Sequence, residues 1–403
     1  MGTGRGLVEL KVVDGNTVID SWESFSLRES FTDPLGSYQF TVAPPLAKRA
    51  ELRDKLKKGT KVSIAIDGYP QATCVVTTQT QDIDDRGYTF GIECKSLLAT
   101  AYEASVDPYF AKAFTADTPI KEVVLGAMAP FGFSMIETDS SANVTAISGK
   151  ALSGRAPPVI VDELTLRDVQ AQQNETVYNF CSRLFTRVGL ALRTTAEGEL
   201  LLGAPDFDQL SAFELVASHD TSREGDRMLR QHGIRIRDTN DGQFSEIIVA
   251  GKTPDKRGGT SLAQPVAGVY LPDVARSKDA PFSTANLNAL VRGHHSYTGP
   301  WKPKYRVDKK SRDKKVCAEF AKLLHGVRAA NAFQVQCTVE GVYSKSGDML
   351  WAVDTVGSVY IEHAGIDEDM WLLERRFEVS RNGGQLATLT WIPLGSLLLG
   401  EAS

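Results

Sequence analysis

Short runs in which apolar and polar side chains alternate residue by residue constrain this chain more than any other feature of its sequence. Val8, Leu10 and Val12 alternate with Glu9 and Lys11 before Asp14-Gly15, and Tyr38, Phe40 and Val42 alternate with Gln39 and Thr41 before Pro44-Pro45. A period of two puts one face of each segment in a core and the other in water, which describes a half-buried strand. Val62, Ile64 and Ile66 lead into Asp67-Gly68, a pair that takes the positive φ of a tight hairpin, and the partner strand runs through Cys74 to Thr77. Tyr88, Phe90 and Ile92 resume the pattern after Asp85-Arg86-Gly87. About six strands at this spacing predict a small antiparallel barrel or sandwich over residues 1–95.

Between 96 and 202 the period lengthens. Thr118 as N-cap, with Pro119 at the first helical position, opens a helix in which Ile120, Val123, Val124, Ala127 and Met128 share a face and which Pro130 ends. Val177, Phe180, Cys181, Leu184, Phe185 and Val188 mark a second helix, with Gly189 where a left-handed C-cap belongs. An apolar strand follows each, Phe133 to Ile136 and Leu190 to Leu192, and the latter turns at Glu197-Gly198 into Leu200 to Leu202. This stretch reads as an α/β insert made of a loosely duplicated helix–strand unit.

Strand character returns at Glu246 to Ala250 and in the alternation of Phe333, Val335, Cys337 and Val339; Trp371 to Val379 and Leu386 to Trp391 flank the hairpin signal Asn382-Gly383-Gly384. Residues 203–250 together with 331–394 are expected to form a second barrel. Residues 251–330 are expected to be an extended basic connection that ends in a helix through Val316, Cys317, Phe320, Leu323, Leu324 and Val327, stopping at or just after Gly326. The predicted class is α+β, mainly β: two antiparallel β-barrels with an α/β insert.

Charge is placed unevenly. The formal net charge is -5, yet residues 252–315 hold 14 Lys and Arg against 5 Asp, which leaves about -14 on the remainder. An acidic whole argues against a general nucleic-acid binder. Arg292, Lys302, Lys304, Arg306, Lys309, Lys310, Arg312, Lys314 and Lys315 are candidate subunit or partner contacts, since a basic island suits docking on an acidic body. A solvated loop and helix face would use the same residues. Cys74, Cys94, Cys181, Cys317 and Cys337 are scattered with no C-x-x-C pair and read as buried free thiols, a disulfide or zinc framework being the alternative. No apolar run reaches the roughly 20 residues of a membrane span, and the first ten residues lack the order of a secretory signal. The chain is therefore expected to be made and kept in a cytosol, without membrane insertion.

Motifs for chemistry are absent. Gly251-Lys252-Thr253 follows a strand, but a phosphate loop needs a glycine five residues earlier and Glu246 stands there. None of His219, His232, His294, His295, His325 and His363 belongs to an H-E-x-x-H pair, and no G-x-S-x-G is present. Asp82-Ile83-Asp84-Asp85 and Asp367-Glu368-Asp369 are read as solvated turns. Gln173-Asn174-Glu175-Thr176 is similar to the opening of LysM sugar-binding modules, although a helix start capped by Asn174 gives the same letters. No catalytic, metal or cofactor site is predicted.

A series of short pieces runs through the chain in order, beginning with Phe40-Thr41-Val42, the Gly59 to Gly68 hairpin, and Gly91-Ile92-Glu93-Cys94-Lys95-Ser96. It continues with Asn174-Glu175-Thr176-Val177-Tyr178, Arg187-Val188-Gly189-Leu190, Leu350-Trp351, Val356 to Ile361, Gly365-Ile366-Asp367, Trp371-Leu372-Leu373 and Gly383-Gly384-Gln385. In these pieces and their order the chain as a whole resembles the baseplate hub proteins of Mu-like contractile phages. Asn174 stands where that family more often has Gly. The resemblance implies two tail-tube-like barrels per chain and a homotrimeric ring of pseudo-sixfold symmetry. Its partners would be the tail tube or tube initiator, the central spike and other baseplate proteins, with DNA only as passing cargo. It also implies a place in the virion tail baseplate, assembled in the host cytoplasm, and no enzymatic role. A hub that binds or degrades peptidoglycan and an unrelated carbohydrate-binding β protein are the competing readings.

Overall fold

The computed structural model describes residues 7–13, 17–19, 22–84, 87–107, 109–110, 118–138, 172, 174–186, 190–244, 246–250, 252–254, 260–262, 270–271, 285–286, 302–307, 324, 326, 328–345, 349–380 and 384–396. The chain is mainly β. Its first part gives β1 (Val8–Val12), β2 (Val18–Ile19), β3 (Ser24–Ser30), β4 (Asp33–Val42), β5 (Lys61–Ile66), β6 (Tyr69–Asp84) and β7 (Gly87–Ser96), in the spatial order β2-β1-β5-β6-β7-β4-β3. Every neighbouring pair in this sheet is antiparallel. The alternation does what the sequence requires of it: β5 buries Val62, Ile64 and Ile66, and β7 buries Phe90, Ile92 and Cys94. Asp67 (φ 50) and Gly68 (φ 81) supply the two positive-φ positions of the hairpin between β5 and β6. A helix, α1 (Leu46–Lys55), interrupts the strands after Pro45; it buries no residue fully, so no apolar stripe announces it in the sequence.

The insert is built from α2 (Leu98–Glu103), α3 (Ile120–Met128), β8 (Ile136–Thr138), α4 (Val177–Thr186), β9 (Ala191–Thr194) and β10 (Leu200–Gly203). β10 pairs parallel with β8 and antiparallel with β9, and the apolar faces of α3 and α4 close over this small sheet. Pro119 occupies the N-cap of α3, one place earlier in the helix than expected, and a 3-10 turn over Ala129–Phe131 holds Pro130 before Gly132 turns at φ 89. The strand expected from Phe133 begins only at Ile136, although Phe133 itself is buried. Gly189 lies outside the described residues.

The remainder contributes β11 (Phe213–Ala217), β12 (Asp226–Arg227) and β13 (Arg235–Asp238), then β14 (Glu246–Ala250), β15 (Lys252–Pro254), β16 (Thr260–Leu262), β17 (Tyr270–Leu271), β18 (Ala285–Asn286) and β19 (Pro303–Val307). Last come β20 (Phe333–Glu340), β21 (Val356–Ile361), β22 (Ile366–Ser380) and β23 (Gly384–Pro393). β14 pairs with β19 away from the large sheet, and β15 with β16 and β17 with β18 form small pairs of their own. The other strands share one sheet, in which β13, β20, β23, β22, β21, β11 and β12 follow one another. This half is not purely antiparallel, contrary to expectation: β11 runs parallel to both β12 and β21. The chain between β11 and β21 is long enough to make the crossover that a parallel pair demands. At the far side a bridge between Met228 and Val339, with the Leu229 amide donating to the Thr338 carbonyl at 2.7 Å, carries the end of β12 back onto β20. The sheet thus curls round on itself.

Residues 324, 326 and 328–332 are helical, so the helix passes Gly326 and runs directly into β20. Ala329, Ala330 and Ala332 are buried there, and alanine is the residue least costly to a helix. Registered pairing of β3 with β22, from Ser24 opposite Ser380 to Ser30 opposite Glu374, joins both halves into 14 strands. Their inner faces share one hydrophobic cluster, from Val8 to Trp391.

Candidate functional site

Of the basic residues singled out in the sequence, Lys302 and Lys304 are exposed and Arg306 lies in β19. Arg292, Lys309, Lys310, Arg312, Lys314 and Lys315 fall outside the described residues. Lys302 and Lys304 meet on Phe244, their Nζ atoms 5.3 and 5.5 Å from the ring centre, and Arg328 stacks on it at 4.7 Å while donating to the Gly242 carbonyl at 2.8 Å. One half-buried aromatic ring therefore gathers three cations from segments distant in sequence. No periodicity in the sequence marks Phe244 or Arg328.

The join between the halves is polar at its centre. Arg375 on β22 lies opposite Glu29 on β3 and donates to its Oε2 from Nε (2.8 Å) and Nη2 (2.5 Å); it also donates to Gln71 on β6 at 3.0 Å and to the Trp351 carbonyl. Tyr38 on β4 completes the group by donating to the other Glu29 oxygen at 2.9 Å. Burial, reinforced by the Glu29 charge, raises the Tyr38 phenol well above its ordinary range, so it remains a donor. The sequence carries one signal for this site: Arg375 stands two residues before the buried Phe377, so that it shares the inward phase of β22 with an apolar residue.

Two further contacts fix the halves and the insert. Asp354 (φ 70) accepts from Arg193 of β9 (3.0 Å), from the Trp371 indole (3.0 Å) and from the Asp206 amide (3.1 Å); burial raises its carboxyl above the usual carboxylate range. Asp67, in the hairpin between β5 and β6, accepts from the Tyr343 hydroxyl at 2.8 Å across the join. With Thr73 donating to the Ala196 carbonyl at 2.9 Å, all three parts are held as one block.

The segment similar to a sugar-binding opening serves the helix. Asn174 adopts φ 61, a left-handed geometry that asparagine tolerates where glycine is usual, and Thr176, not Asn174, caps α4 by accepting from the Asn179 amide at 3.2 Å. The half-buried Glu175 holds Arg183 in a forked pair, at 2.6 and 2.8 Å. Asp367-Glu368-Asp369 lies within β22, paired with β21, and not in a turn, whereas Asp82 to Asp84 ends the β6 strand. Cys74, Cys94, Cys181 and Cys337 are free and buried; burial pushes the Cys337 thiol up to about 12 and those of Cys74 and Cys181 upward as well, which keeps them unreactive. Cys317 lies outside the described residues.

His219 and His363 pack edge to face at 4.8 Å beside Glu362, which the Ser218 hydroxyl and the His219 amide hold below the usual carboxylate range. Among the described residues no three His, Cys, Asp or Glu side chains are placed to hold a metal, and no helix is long and apolar enough to cross a membrane. An open groove of about 560 Å³ is lined by Glu214, Glu224, Lys345 and Ser358 among others, with Glu214 opposite Ser358 in the parallel pair of β11 and β21.

No protein-family model matches the chain, and no curated protein matches it. Among solved structures it is similar over its whole length to phage tail proteins. A tail protein from Neisseria meningitidis superposes with a TM-score of 0.68 at 17% identity, covering 98% of this chain and 99% of that one. The 43 kDa tail protein of prophage MuSo2 from Shewanella oneidensis gives 0.69 at 15%, covering 96% and 98%. A component of the Escherichia coli type VI secretion system, itself structurally similar to the bacteriophage T4 tail proteins gp27 and gp5, gives 0.53 at 9%, covering 98% and 79%. At such identities the likeness is one of fold.

Proposed function

We propose that this chain is a structural, non-enzymatic subunit of a baseplate hub in a phage tail or tail-like particle. Three copies form a ring that joins the sixfold tail tube to a trimeric central spike. The observation that carries the reading is whole-length similarity to tail proteins in a chain that fuses two sheets edge to edge. The second sheet, curled back by the Met228–Val339 bridge, is barrel-like, and a trimer with two such units per subunit offers six near-equivalent docking positions.

The polar join and the Asp354 contacts suit this role, because an adaptor under load must keep its two docking faces in fixed relation. Lys302, Lys304 and the basic residues around them serve subunit or partner contacts, and the acidic remainder lines a channel that repels phosphate and lets DNA pass. Deleting the gene in its phage or tail-like element and restoring it in trans tests the proposal. Loss of complete tails, recovered on complementation, is the expected result; normal tails carrying tube and spike in its absence would contradict it.

A further inference from the structure

The two sheets each run past their own hydrophobic filling at one place. The first place is the tip of the β6–β7 hairpin. β5 lies against β6 only from Tyr69 to Val75, and β4 lies against β7 only as far as Phe90, so the end of the hairpin projects as a two-stranded arm. There Ile83 pairs with Tyr88, on the face that β7 continues inward through the buried Phe90 and Ile92, yet Ile83 is 79% exposed. Asp82 is exposed beside it, and Asp84 occupies the register position opposite Gly87.

The second place is β13. It pairs with β20 on one side only, and among the described residues no strand lies against its other edge. All four of its residues are exposed. Ile236 stands opposite the fully buried Val335 and so lies on the core face, at the rim where the core stops; Arg235 and Arg237 stand opposite Gln336 and Gln334 on the outer face.

These two edges match. One reads Asp82-Ile83-Asp84 and the other Arg235-Ile236-Arg237. With Ile83 set opposite Ile236, positions 82 and 84 fall opposite 235 and 237 whichever way the strands run, because both triplets are symmetric in charge. Exposed strand edges carry unpaired amides and carbonyls and are templates for pairing with another chain. Charge at an edge commonly discourages that pairing. Here the charges are of opposite sign on the two edges, so each edge repels its own kind and attracts the other.

We infer that β13 of one subunit receives the Asp82-Ile83-Asp84 arm of a second copy of this chain as an added strand. The inference rests on the reading of the chain as a ring of identical subunits. Donor and acceptor are different surfaces of the same molecule, so the contact is head to tail and closes only under cyclic symmetry. A few paired residues fall far below the about 1,000 Å² that a stable interface buries. The arm therefore sets the register between neighbours, and other surfaces hold them.

Cysteines at the two isoleucines provide the test. The chain carrying both Ile83→Cys and Ile236→Cys is oxidised and run without reductant, beside each single variant, while native mass spectrometry of the unmodified chain counts subunits independently. The expected result is covalent dimers and trimers from the double variant, none from either single one, and a threefold mass for the unmodified protein. Threefold mass without cross-links overturns the inference and leaves the ring standing. Cross-linked open chains without a closed trimer keep the contact and overturn the ring. A monomer at every concentration, with no cross-link, overturns both.

Charge exchange supplies a second measurement that does not depend on cysteine geometry. Arg235→Asp with Arg237→Asp weakens assembly by about tenfold or more, and Asp82→Arg with Asp84→Arg in the same chain restores it. Equal assembly by the arginine variant, with an unchanged melting temperature, contradicts the contact.

Discussion

The two halves of the large sheet solve the same problem by different routes. In the first, β3 and β4, β5 and β6, and β6 and β7 are neighbours in sequence and in space, all antiparallel. In the second, β11 finds β21 across more than a hundred residues and runs parallel to it, and β13 finds β20 across a similar gap. Local hairpins close small loops, whereas remote pairings close large ones and are rewarded only when the whole core assembles. The difference teaches where the chain depends on its tertiary context: the second half needs the join to the first, and Arg375 stands at that join.

Removing Arg375 should therefore have the largest effect. Arg375→Ala leaves the largely buried Glu29 carboxylate with Tyr38 but without its cationic partner, and costs about 3–5 kcal/mol. Denaturant unfolding followed by tryptophan fluorescence reports mainly the second half, where Trp351, Trp371 and Trp391 are buried. Its midpoint should fall further than that of the first half followed by hydrogen exchange on β5 to β7. Equal falls in both halves would break the comparison.

A change confined to the second half should sharpen it. A Cβ on Gly357 would sit 2.8 Å from the Trp391 ring and 3.3 Å from the Phe213 Cβ, so Gly357→Ala overpacks the remote strands by about 1–3 kcal/mol. Protection of β5 to β7 should be unchanged. Smaller again is Thr176→Ala, which removes the cap of α4 and costs about 1 kcal/mol, read as faster exchange at the start of that helix alone.

Much of this difference is visible in the sequence itself. The alternation that predicts β5, β7, β20 and β23 is a property of each strand alone, and their burial follows it. Pairing partners are another matter. Nothing local to Phe213–Ala217 says that Val356–Ile361 lies beside it in parallel, since partner choice is settled by the packing of Phe213 against Trp351 and Trp391. Helix α1 leaves little trace in the sequence because it buries no residue fully and only Leu52 of it packs against the large core. The Asp67-Gly68 turn was legible because its φ requirement is local; the Phe244 cluster was not, because its cations converge from positions 302, 304 and 328 only after folding.

The smallest effect is a pH dependence at the end of β21. Glu362 has its folded pKa depressed by the Ser218 hydroxyl and the His219 amide, so its contribution is present above the unfolded carboxylate range and is lost as pH falls through the lower, folded value. The melting temperature of Glu362→Gln should therefore lie slightly below that of the parent near neutrality, and the gap should close in acid. A gap that widens in acid would reverse the assignment.

The fused sheets of this chain are proposed to be one third of a ring between tube and spike. Cryo-electron microscopy of the assembled particle tests it most directly. The account predicts three copies at the junction of tube and spike, with six related β units around an acidic channel. Any other copy number in the ring, or a channel wall lined with lysine and arginine, would contradict it.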